Sequence, residues 1–191
     1  MIMLLASLAR RMTALVLLTA LLPLNLLLAL LLRYLQGPKV LFFQERSGLG
    51  GRPFNLVKFR TMRDVRNDDG SLSADEVRVT GIGVFLRRTR LDELPSFWNV
   101  LTGDLAFIGP RPLLPETVQS LGERGVRRET VRPGLTGWAQ VNGNTLLSLN
   151  EKVDLDLWYI EHRNWQLDAA IIASTFLVMI AGEKRRKNMQ Q

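Results

Sequence analysis

The sequence has no cysteine and only one histidine, His162, in 191 residues. The first absence excludes disulfides and thiolate metal sites, and the second excludes a multi-histidine zinc site within one chain. His162 is left with a structural or membrane-interface role. No Walker phosphate loop occurs. Ser47-Gly-Leu-Gly-Gly51 is rich in glycine but lacks that pattern, and it reads as a hairpin connection. The polar stretch from Asp64 to Glu76 contains Asn67-Asp-Asp-Gly70, yet its spacing fails the EF-hand pattern and no terminal glutamate follows at the right offset. It reads as a mobile surface loop. Internal repeats are absent, and the only low-complexity segment is a leucine run near the N-terminus. Acidic residues are outnumbered, 18 against 25 Lys and Arg, for a net charge of +7. A chain of this length suits one domain, and the charge suggests a polyanionic partner: nucleic acid, an anionic membrane surface or a phosphorylated substrate.

The leucine run decides among these. Met12 to Leu32 carries no charge. As a straight helix it would be roughly 32 Å long, enough for a bilayer core of about 30 Å. The run is long for a signal peptide and no small-residue cleavage site follows it. A spanning helix is the simple reading. Pro23 opposes it by removing an N–H and freeing the carbonyl of Thr19, so a break is expected in mid-run. Basic residues flank both ends, Arg10 and Arg11 before and Arg33 and Lys39 after, which draws both ends to the cytoplasmic face. A helix-break-helix that dips in and returns satisfies both features, with Asn25 available to satisfy the freed backbone.

The densest chemistry lies in Arg87-Arg-Thr-Arg-Leu-Asp-Glu-Leu-Pro and on to Ile108-Gly-Pro-Arg-Pro112. An adjacent carboxylate pair, Asp92-Glu93, stands between cationic elements. That arrangement suits a metal-assisted reaction on phosphate, in which cations hold oxygens and a carboxylate acts as ligand, base or nucleophile. Leu91 to Leu101 reads as a short helix with Leu94, Phe97, Trp98 and Leu101 on its apolar face, Asp92 as N-cap and Pro95 in the first turn. Arg111, between two prolines, has its backbone ordered in advance. The plainer alternative is a cap and a solvated basic face.

Elsewhere, Val40–Gln44 and Phe54–Phe59 read as strands, and Lys58 and Arg60 would share a face. Gly81–Arg88 and Leu113–Arg128 read as helices, and Val131–Gly143 as loop and strand, with Trp138 packing. Leu149–His162 reads as a helix in which Asp156 is by default an exposed carboxylate. Leu167–Ala181 is apolar but short for a span. Trp158, Tyr159 and Trp165 precede it and Lys184-Arg-Arg-Lys187 follows, so an interfacial helix with a basic tail fits, and a plain core helix is the alternative.

At Leu91-Asp-Glu-Leu-Pro, Trp98-Asn-Val-Leu, Gly103-Asp and Ile108-Gly-Pro-Arg-Pro the sequence resembles the bacterial sugar transferase family, the monotopic phosphoglycosyl transferases that start glycan assembly on a polyprenol phosphate. Gln44-Glu-Arg, Lys58-Phe-Arg-Thr-Met62 and Pro133-Gly-Leu-Thr-Gly-Trp-Ala-Gln-Val-Asn-Gly143 match in the same order, over nearly the whole chain. The resemblance implies an α+β monotopic membrane protein. Residues 1–36 would form a re-entrant helix-break-helix, and residues 37–191 a cytoplasmic-face catalytic domain with a small β element and a C-terminal interfacial helix. The chain departs from the family pattern in three places: Leu22-Pro23 stands for Ser-Pro, Thr13 for an acidic residue, and Gly143-Asn144-Thr145 for Gly-Arg-Asn.

The implied reaction takes a sugar-1-phosphate from a nucleotide-diphosphate sugar, a UDP-sugar, to undecaprenyl phosphate, with Mg2+ as cofactor. Asp92 would be the nucleophile. Glu93 would bind metal or move a proton, and Asp92 and Glu93 are the metal candidates. Arg87, Arg111 and Lys58 would hold phosphate, and Asp156 matches an acidic family position. The bacterial inner membrane would be both location and partner, a homodimer is allowed, and nucleic acid is not expected. Two alternatives stay open: a non-catalytic anchored module binding anionic lipid or nucleic acid, and a membrane-bound metal-dependent phosphohydrolase.

Overall fold

The computed structural model describes residues 2–67, 69–71 and 73–185. Asp68 of the polar loop and Arg186 and Lys187 of the basic tail lie outside the described residues. The fold is α+β. The N-terminal run forms two helices, α1 (Ile2–Ala20) and α2 (Leu22–Gln36), bent by 58°. Pro23 accounts for the bend. It sits in the first turn of α2, where a missing N–H forfeits no intrahelical bond. The side-chain amide of Asn25 donates to the carbonyl of Leu21 at 3.0 Å, not to that of Thr19. Its reach is one turn back, to its own i−4 carbonyl. Among the described residues no single helix is long and apolar enough to cross a membrane, whereas the bent pair taken together meets that length and composition. Helix α1 begins well before the uncharged run, so Arg10 and Arg11 lie inside it rather than ahead of it.

The two arms pack on different parts of the domain. Ala14 of α1 is buried with Leu56, Val100 and Leu105, while Leu28 and Leu32 of α2 are buried with Phe59 and Leu86. Strand β2 (Pro53–Phe59) supplies both clusters because Leu56 and Phe59, an odd number apart, point to opposite faces. It pairs antiparallel with β1 (Leu41–Ser47), Phe42 opposite Lys58 and Gln44 opposite Leu56. Strand β1 starts one residue later and ends three residues later than expected, and β2 starts one residue earlier.

After the short helix α3 (Asp75–Arg78), α4 (Gly81–Thr89) starts where the Thr80 hydroxyl accepts from the N–H of Gly83. The expected helix from Leu91 to Leu101 is two pieces, a 3₁₀ turn over Leu91–Ser96 and α5 (Phe97–Thr102). The residue at the cap position is Arg90, in the left-handed region with φ of 55°, and Asp92 caps nothing. Leu94 and Leu101 pack inward as expected and Phe97 meets Phe107, but Trp98 faces out.

A second sheet pairs β3 (Ala106–Ile108) in parallel with β4 (Gly134–Thr136). The strand ends approach so closely that a Cβ on Gly134 would lie 2.2 Å from the nitrogen of Gly109, so both glycines are required. Between the strands, the expected single helix divides at Gly122 into α6 (Pro115–Ser120) and α7 (Glu123–Arg128). Trp138–Val141, expected as loop or strand, forms the short helix α8.

Helix α9 (Leu149–His162) begins with a capping box between Ser148 and Glu151. Trp138 stacks on Trp158, which stacks on the exposed His162, so both rings have packing roles. Helix α10 (Trp165–Ala181) buries Ile171 and Ser174 but exposes Phe176, Leu177 and Ile180. It is not a plain core helix.

Candidate active site

The 3₁₀ turn is stitched to β2 by side chains. Ser96 donates its hydroxyl to the carbonyl of Val57. Asn99 accepts from the N–H of Val57 at 3.0 Å and donates to the carbonyl of Asn55 at 2.8 Å. These bonds use backbone groups on the free edge of β2 and fix the turn against the strand that carries Lys58. Asp92 is thereby turned inward and 9% exposed. It lines a cleft of about 600 Å³ together with Glu93, Lys58, Arg60, Arg87, Arg90, Arg111 and Glu183.

The corner that carries Arg111 is held from both sides. Arg46 donates to the carbonyl of Pro112 at 3.1 Å, and Arg128 donates to the carbonyl of Arg111 at 2.9 Å. Arg128 is itself locked to Asp156 through Nε at 3.0 Å and Nη2 at 2.6 Å, and both side chains are buried. Asp156 is therefore no exposed helix carboxylate. It lies outside the main cleft, on an adjoining cavity of about 260 Å³, and touches the site through Arg128.

The electrostatics separate the two acidic neighbours. Glu93 accepts from Arg111 Nη2 at 2.8 Å, with Lys58 Nζ 3.5 Å away. Burial pushes its carboxyl up, but Arg111, Lys58 and Arg90 outweigh burial and hold it at about 2. Asp92 accepts no hydrogen bond from any described residue. Burial and the charge of Glu93 push it up to about 6 against the pull of Lys58, Arg111 and Arg87. Burial and Arg111 lower the Lys58 ammonium, while Glu93 raises the Arg111 guanidinium. Glu93 is thus neutralised by its partners, and Asp92 remains an under-coordinated carboxylate, still ionised at neutral pH, facing a cationic cleft. Environments that drive paired carboxyls apart in this way divide their roles.

Of the residues singled out from sequence, Asp92, Glu93, Lys58, Arg87 and Arg111 come together in one cleft, and Arg87 donates to Thr61 at 2.8 Å. Pro23 is remote, in the helix bend. Sequence reasoning missed Arg46, Arg90, Arg128 and Glu183 as parts of the site. Arg90 was legible as the third arginine before the acidic pair. Glu183 follows an apolar helix and carries no local signal. Arg60, expected to share a face with Lys58, lines the same cleft, and among the described residues its buried Nε has no hydrogen-bond partner.

A divalent cation can be tested against this donor set. Among the described residues no three acidic or histidine side chains cluster as a metal cage. Asp92 and Glu93 offer two carboxylates, one already neutralised. That fits a magnesium ion shared with substrate phosphates, since magnesium typically takes one or two carboxylates and completes its shell with phosphate and water.

Comparison with known proteins finds relatives over most of the chain. The model of the bacterial sugar transferase family matches residues 3–182. The uncharacterized sugar transferase EpsL of Bacillus subtilis is 46% identical over 147 residues, covering 77% of this chain and 73% of EpsL. The UDP-glucose:undecaprenyl-phosphate glucose-1-phosphate transferase of Escherichia coli is 42% identical over 156 residues, 76% of this chain and 33% of that protein. The UDP-N-acetylgalactosamine-undecaprenyl-phosphate N-acetylgalactosaminephosphotransferase of Aeromonas hydrophila is 36% identical, over 84% of this chain and 40% of its own length. The chain thus spans a third to two fifths of those two transferases and most of EpsL. With the family match running from α1 to the end of α10, the chain belongs to the bacterial sugar transferase family.

Proposed function

We propose that this sugar transferase moves a sugar-1-phosphate from a UDP-sugar to undecaprenyl phosphate through a covalent phosphosugar–aspartate, at the cytoplasmic face of the bacterial inner membrane, and so starts glycan assembly. One observation carries the reading: Asp92 is a buried carboxylate with no hydrogen-bond donor among the described residues, set among cations that suit a diphosphate. In the first half-reaction an Asp92 carboxylate oxygen attacks the phosphorus bearing the sugar. The bond to the bridging oxygen breaks, and UMP leaves with the electron pair. In the second, an oxygen of the lipid phosphate attacks the same phosphorus and Asp92 leaves as carboxylate. Splitting the transfer lets a soluble and a lipid substrate use one site in turn.

Arg111, Arg87 and Lys58 share the charge of the diphosphate. Arg111 does so from a corner fixed before the substrate arrives, and Glu93 orients its fork. Asp92 and Glu93 would hold magnesium, which when bound spreads the diphosphate charge. The bent pair of α1 and α2 would enter one leaflet and return. Their exposed leucines, such as Leu4, Leu27 and Leu30, would face lipid, and α10 would lie at the interface.

The test uses membranes containing the full chain, undecaprenyl phosphate and a panel of UDP-sugars, with UMP release as readout. Sustained release that depends on the lipid phosphate is expected, with a single equivalent of UMP and mass added to the protein at Asp92 when the lipid is withheld. Free sugar phosphate formed without lipid would instead indicate a phosphohydrolase.

A further inference from the structure

The cleft holds one carboxylate, Glu183, that the transfer chemistry leaves unused. After α10 the chain turns at Gly182, and Glu183 returns to the turn at Gly143-Asn144-Thr145. Its carboxylate accepts from the Asn144 side-chain amide at 2.5 Å, from the backbone N–H of Thr145 at 3.1 Å and from the Thr145 hydroxyl. Arg90 lies 3.9 Å away. The turn is shaped for this contact. Gly143 has φ of 136° and Asn144 has φ of 40°, and a Cβ on Gly143 would press on Leu147 at 3.1 Å. A second tie, from Arg185 to Glu151 in the first turn of α9, holds the segment in place. Asn144, Thr145 and Glu183 all line the main cleft.

The hydrogen-bond inventory of these groups leans toward acceptors, with one N–H of Asn144 left over. The only hydroxyl proton of Thr145 is spent on Glu183, so its oxygen can only accept from a ligand. The Asn144 side-chain oxygen has no described donor, and Glu183 adds a negative charge. These acceptors suit O–H donors better than phosphate oxygens, which only accept. Lys58, Arg87 and Arg111 in the same cleft have the opposite preference. A molecule with a diphosphate joined to a polyhydroxylated ring matches both.

We propose that Glu183, with Asn144 and Thr145, recognises ring hydroxyls of the donor and so determines which donor is accepted. The proposal rests on the transfer reading above. The ring is the pyranose or the ribose, and the two are separable by experiment.

The full chain in membranes is assayed as wild type, T145V, T145S and E183Q. For each variant kcat and KM are measured with UDP-glucose, UDP-galactose and UDP-N-acetylglucosamine, alongside inhibition by UDP and 2′-deoxy-UDP. Thermal melting checks that each variant is folded. T145V and E183Q should change the kcat/KM ratio between donors by about tenfold, mainly through KM, and T145S should restore it. If the shift appears between UDP and 2′-deoxy-UDP instead, the ring read is the ribose. Unchanged ratios in both series, in folded and active variants, overturn the proposal. So does an equal gain in affinity for every phosphorylated ligand in E183Q, because Glu183 would then only screen Arg90. A wild type that releases no UMP with any donor and lipid phosphate fails the transfer reading, a distinct result, and the proposal with it.

Discussion

Replacing Asp92 by Asn should stop turnover and stabilise the protein. The second half follows from the cost of holding an ionised carboxylate at this place. Its carboxyl lies at about 6 in the fold against an ordinary 3.8. That difference corresponds to about 3 kcal/mol of destabilisation once the group is ionised in both folded and unfolded chains. The sign is that of a raised acid. Its favourable contribution is complete below pH 3.8 and is lost as pH rises through about 6. An asparagine at this position carries no charge, so the variant should gain about 3 kcal/mol at pH 7.5, and roughly half of that at pH 5, where the native carboxyl is already mostly protonated. For a chain of this size the gain at pH 7.5 corresponds to a rise in melting temperature of roughly 6–12 °C.

Glu93→Gln should behave in the opposite way. That carboxyl is held at about 2 against 4.5, so it stabilises above pH 4.5 and the contribution is lost as pH falls through about 2. Losing it should cost up to about 3 kcal/mol at neutral pH. Thermal melts of both variants in detergent at pH 7.5 and pH 5, beside UMP release, decide the matter. An Asp92→Asn protein no more stable than wild type, or one whose gain is the same at both pH values, would refute the argument. Full activity in that variant would refute the covalent step.

Turnover in the wild type should fall on the acid side as Asp92 protonates near pH 6, measured as a pH profile of kcat/KM. Arg111→Lys keeps the charge but loses the planar fork, so turnover should drop at least about tenfold. Parity with wild type would reduce Arg111 to general charge. Asp156→Asn strands the buried Arg128, which should cost about 3 kcal/mol and, by loosening the backbone at Arg111, lower kcat as well. An unchanged melting temperature would contradict that. Cysteines placed at Ser7 and Gln36 should be equally accessible to an impermeant thiol reagent in sealed, oriented vesicles. Opposite accessibility would replace the re-entrant pair with a single span.

Local patterns were legible and long-range ones were not. The bend at Pro23, the hairpin around Ser47–Gly51 and the limits of α9 follow from proline chemistry, turn residues and a capping box, all of which act within a few positions. The nature of the turn at Asp92 was not legible. An apolar period suited an ordinary helix, but Ser96 and Asn99 give their side chains to β2 some 40 residues away, and the backbone tightens to meet them. The role of Asp156 failed to show for the same reason. Its partner Arg128 is 28 residues upstream, and nothing in a helical carboxylate announces that a guanidinium will cover it. Residues from separate motifs meet in one cleft, while the groups that position them come from elsewhere in the chain.

This division bears on how the two helical arms and the cleft are joined. Leu56 and Phe59 of β2 bury against different arms of the bent pair, Leu56 with α1 and Phe59 with α2. Lys58 lies between them in sequence and reaches Glu93. The same strand receives the hydrogen bonds of Ser96 and Asn99 that turn Asp92 inward. Straightening the arms would pull Leu56 and Phe59 apart, and their strand cannot follow without shifting Lys58 or releasing the 3₁₀ turn. Pro23→Leu tests this coupling, because a leucine restores the missing N–H and favours one continuous helix. The variant should lose activity even in the fraction that keeps both ends on the original face. If that fraction retains full turnover, the bend sets only the depth of the protein in the bilayer, and β2 carries no strain from the arms to the site.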